Sequence, residues 1–227
     1  MRHGVRGAAL VAFLLLAAPA VAVELVKNPM LSDGADGKPV GWTEEGFVMK
    51  PEVTRFTWQR NPLGIGTLQI QNLAGNDARW VQKVPVSPST WYRVSGWART
   101  VGVGAQAKGA YLSVMGSFND TRDLRGTQGW QPIGLWVRTG ALDTTLTLAA
   151  RLGGYSSLNT GMALFTGISV EAAGTPPAQA DFVYGTEPED AGGGNVLWVQ
   201  IVAILVVVGG ALLLWRYVIP PSGQIPP

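Results

Sequence analysis

Side chains that do acid–base or nucleophilic chemistry are scarce in this chain. Its one histidine is His3, and none of its 227 residues is cysteine. Cys-His and Ser-His-Asp mechanisms therefore lack their members, and the usual zinc ligands are missing. A glycosidase needs only two carboxylates. Glu44, Glu45, Glu52, Asp77, Asp120, Asp123 and Asp143 could supply them. Most fall in segments that pattern assigns to turns, where a solvated carboxylate is the ordinary state, and nothing in the sequence pairs two of them. The expectation is a protein that is not an enzyme and holds no cofactor and no metal.

Tryptophan, in contrast, is abundant, with nine in the chain. Trp198 and Trp215 lie in a C-terminal apolar run, which leaves Trp42, Trp58, Trp80, Trp91, Trp97, Trp130 and Trp136. Aromatic rings serve either as stacking platforms or as apolar core. Residues 91–99 separate the two uses by alternation. Tyr92, Val94, Gly96 and Ala98 form one face, which suits a core. Trp91, Arg93, Ser95, Trp97 and Arg99 form the other, amphipathic enough for a ligand or a partner.

Strands must position these residues. Between residues 24 and 171, short β-like runs are broken by Gly, Pro, Asn and Asp. The predicted strands are 24–27, 46–49, 53–58, 67–72, 78–84, 91–100, 110–118, 131–139, 144–152 and 163–171. Leu146 and Leu148 share a face in one of them, Leu68 and Ile70 in another. No long run of helical period precedes residue 196. The fold class is all-β, a jelly-roll β-sandwich ectodomain, with one transmembrane α-helix at the C-terminus.

That helix is residues 196–215, a run of twenty without a charge, long enough for the roughly 30 Å hydrocarbon core at 1.5 Å per residue. Trp198, Trp215 and Tyr217 sit at its ends as interfacial aromatics do, and Arg216 follows directly. Glu187, Glu189 and Asp190 lie on the other side. The N-terminus has the form of a secretory signal. Arg2 and Arg6 precede a short apolar run, and Ala20-Val21-Ala22 supplies a cleavage pattern. Both ends give a single-pass type I membrane protein with an extracytoplasmic N-terminal domain. The expected organisation is a signal peptide at 1–22, a sandwich at 23–171 and a Pro/Gly/acidic linker at 172–195. The span at 196–215 and a cytoplasmic tail at 216–227 follow. Gln200, Gly209 and Gly210 are where a partner helix could approach the span. In the linker, residues 182–184 are apolar and suited to docking on the domain or lying at the membrane surface. The formal charge of +2, without a Lys/Arg cluster, speaks against nucleic acid. A cysteine-free exported domain that rests on its core alone fits a bacterial envelope, with the domain periplasmic.

Several segments resemble the carbohydrate-binding-module (galactose-binding-like) jelly rolls. The opening Glu24-Leu-Val-Lys-Asn-Pro-Met, followed by Pro39-Val-Gly-Trp42, is similar to that family's "N-P-x-F-E-x-G … P-x-G-W". Trp80-Val-Gln-Lys-Val-Pro-Val and Tyr92-Arg-Val-Ser-Gly-Trp-Ala-Arg99 resemble its "Q-x-V-x-V … Y-x-V-S-x-W-x-R" strands. Gly126-Thr-Gln-Gly-Trp-Gln131 resembles a turn, and Leu164-Phe-Thr-Gly-Ile-Ser-Val170 its last strand. The resemblance implies a jelly roll and a glycan-binding function. It also implies a structural calcium, but Leu31-Ser32 and Thr166-Gly167 stand where acidic residues are usual, which removes carboxylates calcium needs. Glu24 and Asp33 remain. The implied pairing of strands puts Trp80 and Gln82 on the face of residues 91–99. The candidate site is then Trp80, Gln82, Trp91, Arg93, Trp97, Arg99 and Arg138, with Arg151 a further member. Two functions stay open: a membrane-tethered glycan-binding module, and an accessory subunit of a larger membrane complex whose jelly roll makes protein contacts.

Overall fold

The computed structural model describes residues 23–117 and 119–185. The signal at 1–22, the span at 196–215 with Gln200, Gly209 and Gly210, and the tail lie outside the described residues. Among the described residues no helix is long and apolar enough to cross a membrane.

The described chain is all-β. Its strands are β1 (Gly34–Ala35), β2 (Lys38–Pro39), β3 (Thr43–Gly46), β4 (Thr54–Arg60), β5 (Gly66–Asn76), β6 (Ala78–Pro85), β7 (Trp91–Val103), β8 (Ala110–Val114), β9 (Asn119–Asp120), β10 (Gly126–Arg138), β11 (Thr145–Leu152), β12 (Asn159–Ala173) and β13 (Val183–Tyr184). A six-stranded sheet has the order β13-β10-β7-β12-β5-β4, and a five-stranded sheet the order β3-β6-β11-β8-β9. Their inner faces share one core. Leu68, Ile70, Val94, Phe165 and Ile168 come from the first sheet; Val84, Leu112, Leu148 and Leu152 come from the second. The connections from β5 to β6, β6 to β7, β7 to β8, β10 to β11 and β11 to β12 each carry the chain from one sheet to the other.

Alternation is the local cause. In β5, Leu68 and Ile70 turn inward while Gln69 and Gln71 turn out; in β11, Leu146, Leu148 and Leu152 do the same against Thr147 and Arg151. A one-residue slip would reverse every side chain, so the apolar face fixes register.

Some elements differ from expectation. The strand expected at 46–49 is β3, which ends at Gly46. Beyond it, Asn76 replaces a strand partner: its Oδ1 accepts from Val48 N–H at 3.1 Å, and its Nδ2 donates to Val48 carbonyl at 2.9 Å. The segment 126–131, expected as a turn, belongs to β10, with register shifts between Gly126 and Gln131. Past residue 171 the chain continues on the sandwich. β13 pairs in parallel with β10, and the Tyr184 hydroxyl donates to the Asp120 carbonyl at 2.8 Å.

One end of the sandwich is held by buried asparagines. Asn72 Nδ2 donates to the carbonyls of Asn76, Leu152 and Asn159 at 3.2, 3.3 and 3.0 Å, and its Oδ1 accepts from the Thr54 hydroxyl at 2.7 Å. Asn72 is buried, so removing its amide leaves these carbonyls without that donor. Asn72→Ala is expected to lower unfolding free energy by about 3 kcal/mol. Urea unfolding followed by tryptophan fluorescence measures it; a change within error would show that the network does not hold this end together.

Candidate functional site

The structure brings five of the seven candidate residues together and sets two apart. Trp91, Arg93, Trp97 and Arg99 alternate on the outer face of β7. Arg138 lies opposite Trp91 on β10, and Trp136 lies opposite Arg93. The Arg93 guanidinium sits 5.9 Å from the Trp136 ring centroid. Trp97 is 47% exposed.

Trp80 and Gln82 do not share this face. They are on β6, in the other sheet, because the 86–90 connection crosses between sheets instead of closing a hairpin. Trp80 is buried, packs edge-to-face on Phe56 at 5.5 Å, and donates its indole N–H to the Gln69 carbonyl at 3.1 Å. Gln82 is buried too and pins Lys27. It accepts from Lys27 N–H at 2.6 Å and donates to the Lys27 carbonyl at 2.9 Å. Both residues hold the fold. Glu24, a possible calcium ligand, is engaged as well: its Oε1 accepts from the Val26 and Val170 N–H groups at 2.7 and 3.1 Å.

A second surface is a cleft of about 270 Å³ on the outer face of the five-stranded sheet. β8 positions Tyr111 and Ser113 two residues apart, so both side chains leave the sheet on the same side, away from Leu112 and Val114 in the core. β11 places Arg151 opposite Tyr111. The loop after β7 brings Lys108, β9 brings Asp120, and the turn after β11 brings Tyr155 and Ser157. The 104–108 wall of the cleft hangs on Asn159, whose Nδ2 donates to the carbonyls of Gly104, Ala107 and Lys108.

The groups in this cleft are paired to each other and to Tyr111. Lys108 Nζ lies 2.8 Å from Asp120 Oδ2 and 4.7 Å from the Tyr111 ring centroid. Arg151 sits 5.6 Å from the same ring, donates its Nε to Asp77 Oδ1 at 3.1 Å, and pairs through Nη2 with Asp77 Oδ2. Tyr111 is buried, and that burial pushes its phenol up to about 12, with Arg151 acting in the opposite direction and the nearby carboxylates adding to the rise. At the rim, burial pushes the Asp123 carboxyl up, but hydrogen bonds from Arg125 and from Gly109 N–H outweigh it and leave it below its ordinary value. Ser113 differs from these. Its hydroxyl is buried and finds no hydrogen-bond partner among the described residues. Tyr155 is 86% exposed at the edge.

Such an arrangement can hold a polar ligand. Lys108 and Arg151 can donate, Asp120 can accept, and the Tyr155 ring offers a stacking surface. Among the described residues no group of three or more acidic, His or Cys side chains could hold a metal ion. Sequence reasoning missed Tyr111 and Ser113. Ala110-Tyr-Leu-Ser-Val114 is buried throughout and has the look of a core strand.

The chain matches no family model and no curated protein. Among solved structures it is similar to the enzymatically active domain of bacteriophage CBA120 tailspike protein 4, at 11% identity and a TM-score of 0.48, over 66% of this chain and 21% of that one. It is similar to an arabinose-bound α-L-arabinofuranosidase at 14% identity and a TM-score of 0.49, over 66% and 26%. A CBM4 structure matches at 11% identity and a TM-score of 0.48, over 65% and 99%. The chain thus spans about a fifth to a quarter of the first two proteins. These overlaps assign neither ligand nor activity.

The Tyr111 environment has a consequence in alkali. Its phenol binds the proton more tightly when folded than when unfolded, where about 10 is usual. The corresponding stability is complete below about pH 10 and is lost as pH rises through about 12. Absorbance titration of phenolate should show one step near pH 12 that Tyr111→Phe removes. Loss of a step near pH 10 instead would place the phenol in solvent.

Proposed function

We propose that the protein is a non-catalytic, membrane-anchored, extracytoplasmic module whose jelly-roll sandwich binds glycan in the Tyr111 cleft. The observation that carries this reading is the cleft itself, where Lys108, Asp120, Arg151 and the exposed Tyr155 ring line one polar hollow. Such a lining suits a ligand that carries hydroxyls around an apolar ring face. The cleft volume of about 270 Å³ sits near the lower end of ordinary ligand sites, roughly 300–1,000 Å³, which suits a ligand of sugar-unit size. A glycan also matches the mixture of donors, acceptors and an exposed ring.

The geometry of the described ends supports the tethered reading. Glu24 bridges Glu171, and Tyr184 lies opposite Val137, so both ends of the described chain leave beside the start of β7. The loop after β7 and the turn after β11 build one wall of the cleft, and Asp120, on its other wall, accepts from the Tyr184 hydroxyl at 2.8 Å. An anchor at 196–215 would then hold the sandwich by the end that Tyr184 packs against. A second reading, the accessory subunit of a membrane complex, is favoured by the exposed Trp97 face, which could meet another protein.

Purified full-length protein, titrated calorimetrically against a panel of polysaccharides, tests the first reading. Binding is expected, and Tyr155→Ala or Lys108→Ala should weaken it by about tenfold, equivalent to roughly 1.4 kcal/mol. The folded protein binding no polysaccharide, or binding that both substitutions leave intact, would defeat it.

A further inference from the structure

The two outer faces of the sandwich treat charge differently. Every ion pair among the described residues involves Asp77, Asp120, Asp123 or Glu45, all on the side of the five-stranded sheet. The outer face of the six-stranded sheet has none. It carries Arg55, Arg93 and Arg99, all exposed, on β4 and β7. Glu171, opposite Arg93 on β12, is the acid within the face, and Asp181 lies at its β10 edge.

The register shows what surrounds these arginines. One row across the sheet is Thr57, Gln69, Leu164 and Arg99; beyond it Gln59 pairs with Thr67, and Trp97 lies between Thr166 and Pro132, with the Thr166 hydroxyl donating to the Gly66 carbonyl at 2.7 Å. Trp97 therefore sits exposed in a field of amides and hydroxyls, with Arg99 and Arg93 two and four residues away on the same strand face. At the β10 edge a groove of about 340 Å³ runs past Arg93, Arg122 and Trp136.

We propose that this face binds an anionic polysaccharide, with Trp97 as the stacking platform and Arg93 and Arg99 meeting its carboxylate or sulfate groups. Charge complementarity selects an anionic partner, because the guanidinium groups of Arg93 and Arg99 have no ion pairs among the described residues. The guanidinium fork matches carboxylate and sulfate oxygens in two-point contact. The amide and hydroxyl rows around an exposed indole favour a sugar chain over an acidic protein, whose core contacts would be more apolar. The site is separate from the Tyr111 cleft, being on the opposite sheet, so it does not depend on the cleft binding anything.

The test uses full-length protein and two probe pairs: polygalacturonate against its methyl-esterified form, and dextran sulfate against dextran. Each pair keeps the backbone and changes the charge. At low salt the anionic member should bind at least tenfold more tightly, and added sodium chloride should collapse the difference. Arg93→Ala with Arg99→Ala should abolish the preference, and Trp97→Ala should weaken both members of each pair. Equal binding of charged and neutral forms, or a preference that survives the double arginine substitution, would overturn the proposal. Loss of the preference with Lys108→Ala alone would also overturn it, by assigning the anion to the cleft. Acidic protein fragments competing where the polysaccharides fail would do the same, in favour of a protein partner.

Discussion

The sandwich depends on a set of buried asparagine amides at the end where its strands diverge. Strands that leave one sheet for the other abandon their ladder partners, and the carbonyls left behind must be satisfied without water. Asn72, Asn76 and Asn159 do this from the ends of β5 and β12. Asn72 collects carbonyls from three segments, Asn76 supplies both halves of a strand partner to Val48, and Asn159 collects three carbonyls from the 104–108 loop. Asn76 Nδ2 also donates to the Thr54 hydroxyl at 2.7 Å, which joins the groups into one network. The close approach leaves no room for a side chain at Gly153, which takes a positive φ of 86° against the Asn76 carbonyl. A partly satisfied network of this kind would be worse than an apolar one, so its members act together.

From this constraint the cleft follows. Asn159 fixes the loop bearing Lys108, and Gly153 fixes the turn bearing Tyr155. Between them β8 and β11 bring Tyr111 and Arg151 side by side. Charge on this side is consumed internally: Asp77 holds both Arg151 and Arg79, and Asp120 holds Lys108. Ion pairs of partly buried groups contribute little net energy but restrict geometry. Here they hold the polar side chains at one spacing around the cleft, which is the kind of preorganisation that lowers the ordering cost of binding.

The sequence displays some of this and conceals the rest for identifiable reasons. The alternation of residues 91–99 is legible because β7 is central to its sheet and has one face in the core; Tyr92, Val94 and Ala98 are buried and Arg93, Trp97 and Arg99 are not. Alternation says nothing about which sheet a strand joins. Trp80 and Gln82 are close to β7 in sequence, but the intervening connection crosses the sandwich, and both turn inward. Ser113 is concealed by a different effect. On a strand covered on both sides, period-two contrast vanishes, and a serine beneath a cleft is indistinguishable from one in a core. The Asn72, Asn76 and Asn159 network is concealed too, since isolated asparagines near strand ends have the form of turn residues until the carbonyls they meet are known.

The division between the two faces follows from where the carboxylates lie. Asp77, Asp120 and Asp123 sit at strand ends and loops that fold back over the five-stranded sheet, and each neutralises a cation there. The six-stranded sheet is built largely from long strands, β5, β7, β10 and β12. Its outer residues come from the middles of β4, β5, β7 and β12, where Gln, Thr and Arg alternate with core residues and acidic side chains are few. A solvated arginine on such a face gains little from distant carboxylates across the sandwich, because water screens them. Its charge is therefore expressed outward. One fold thus carries a cleft whose charges are spent on its own architecture and, on the opposite sheet, a face whose charges remain for something else to meet.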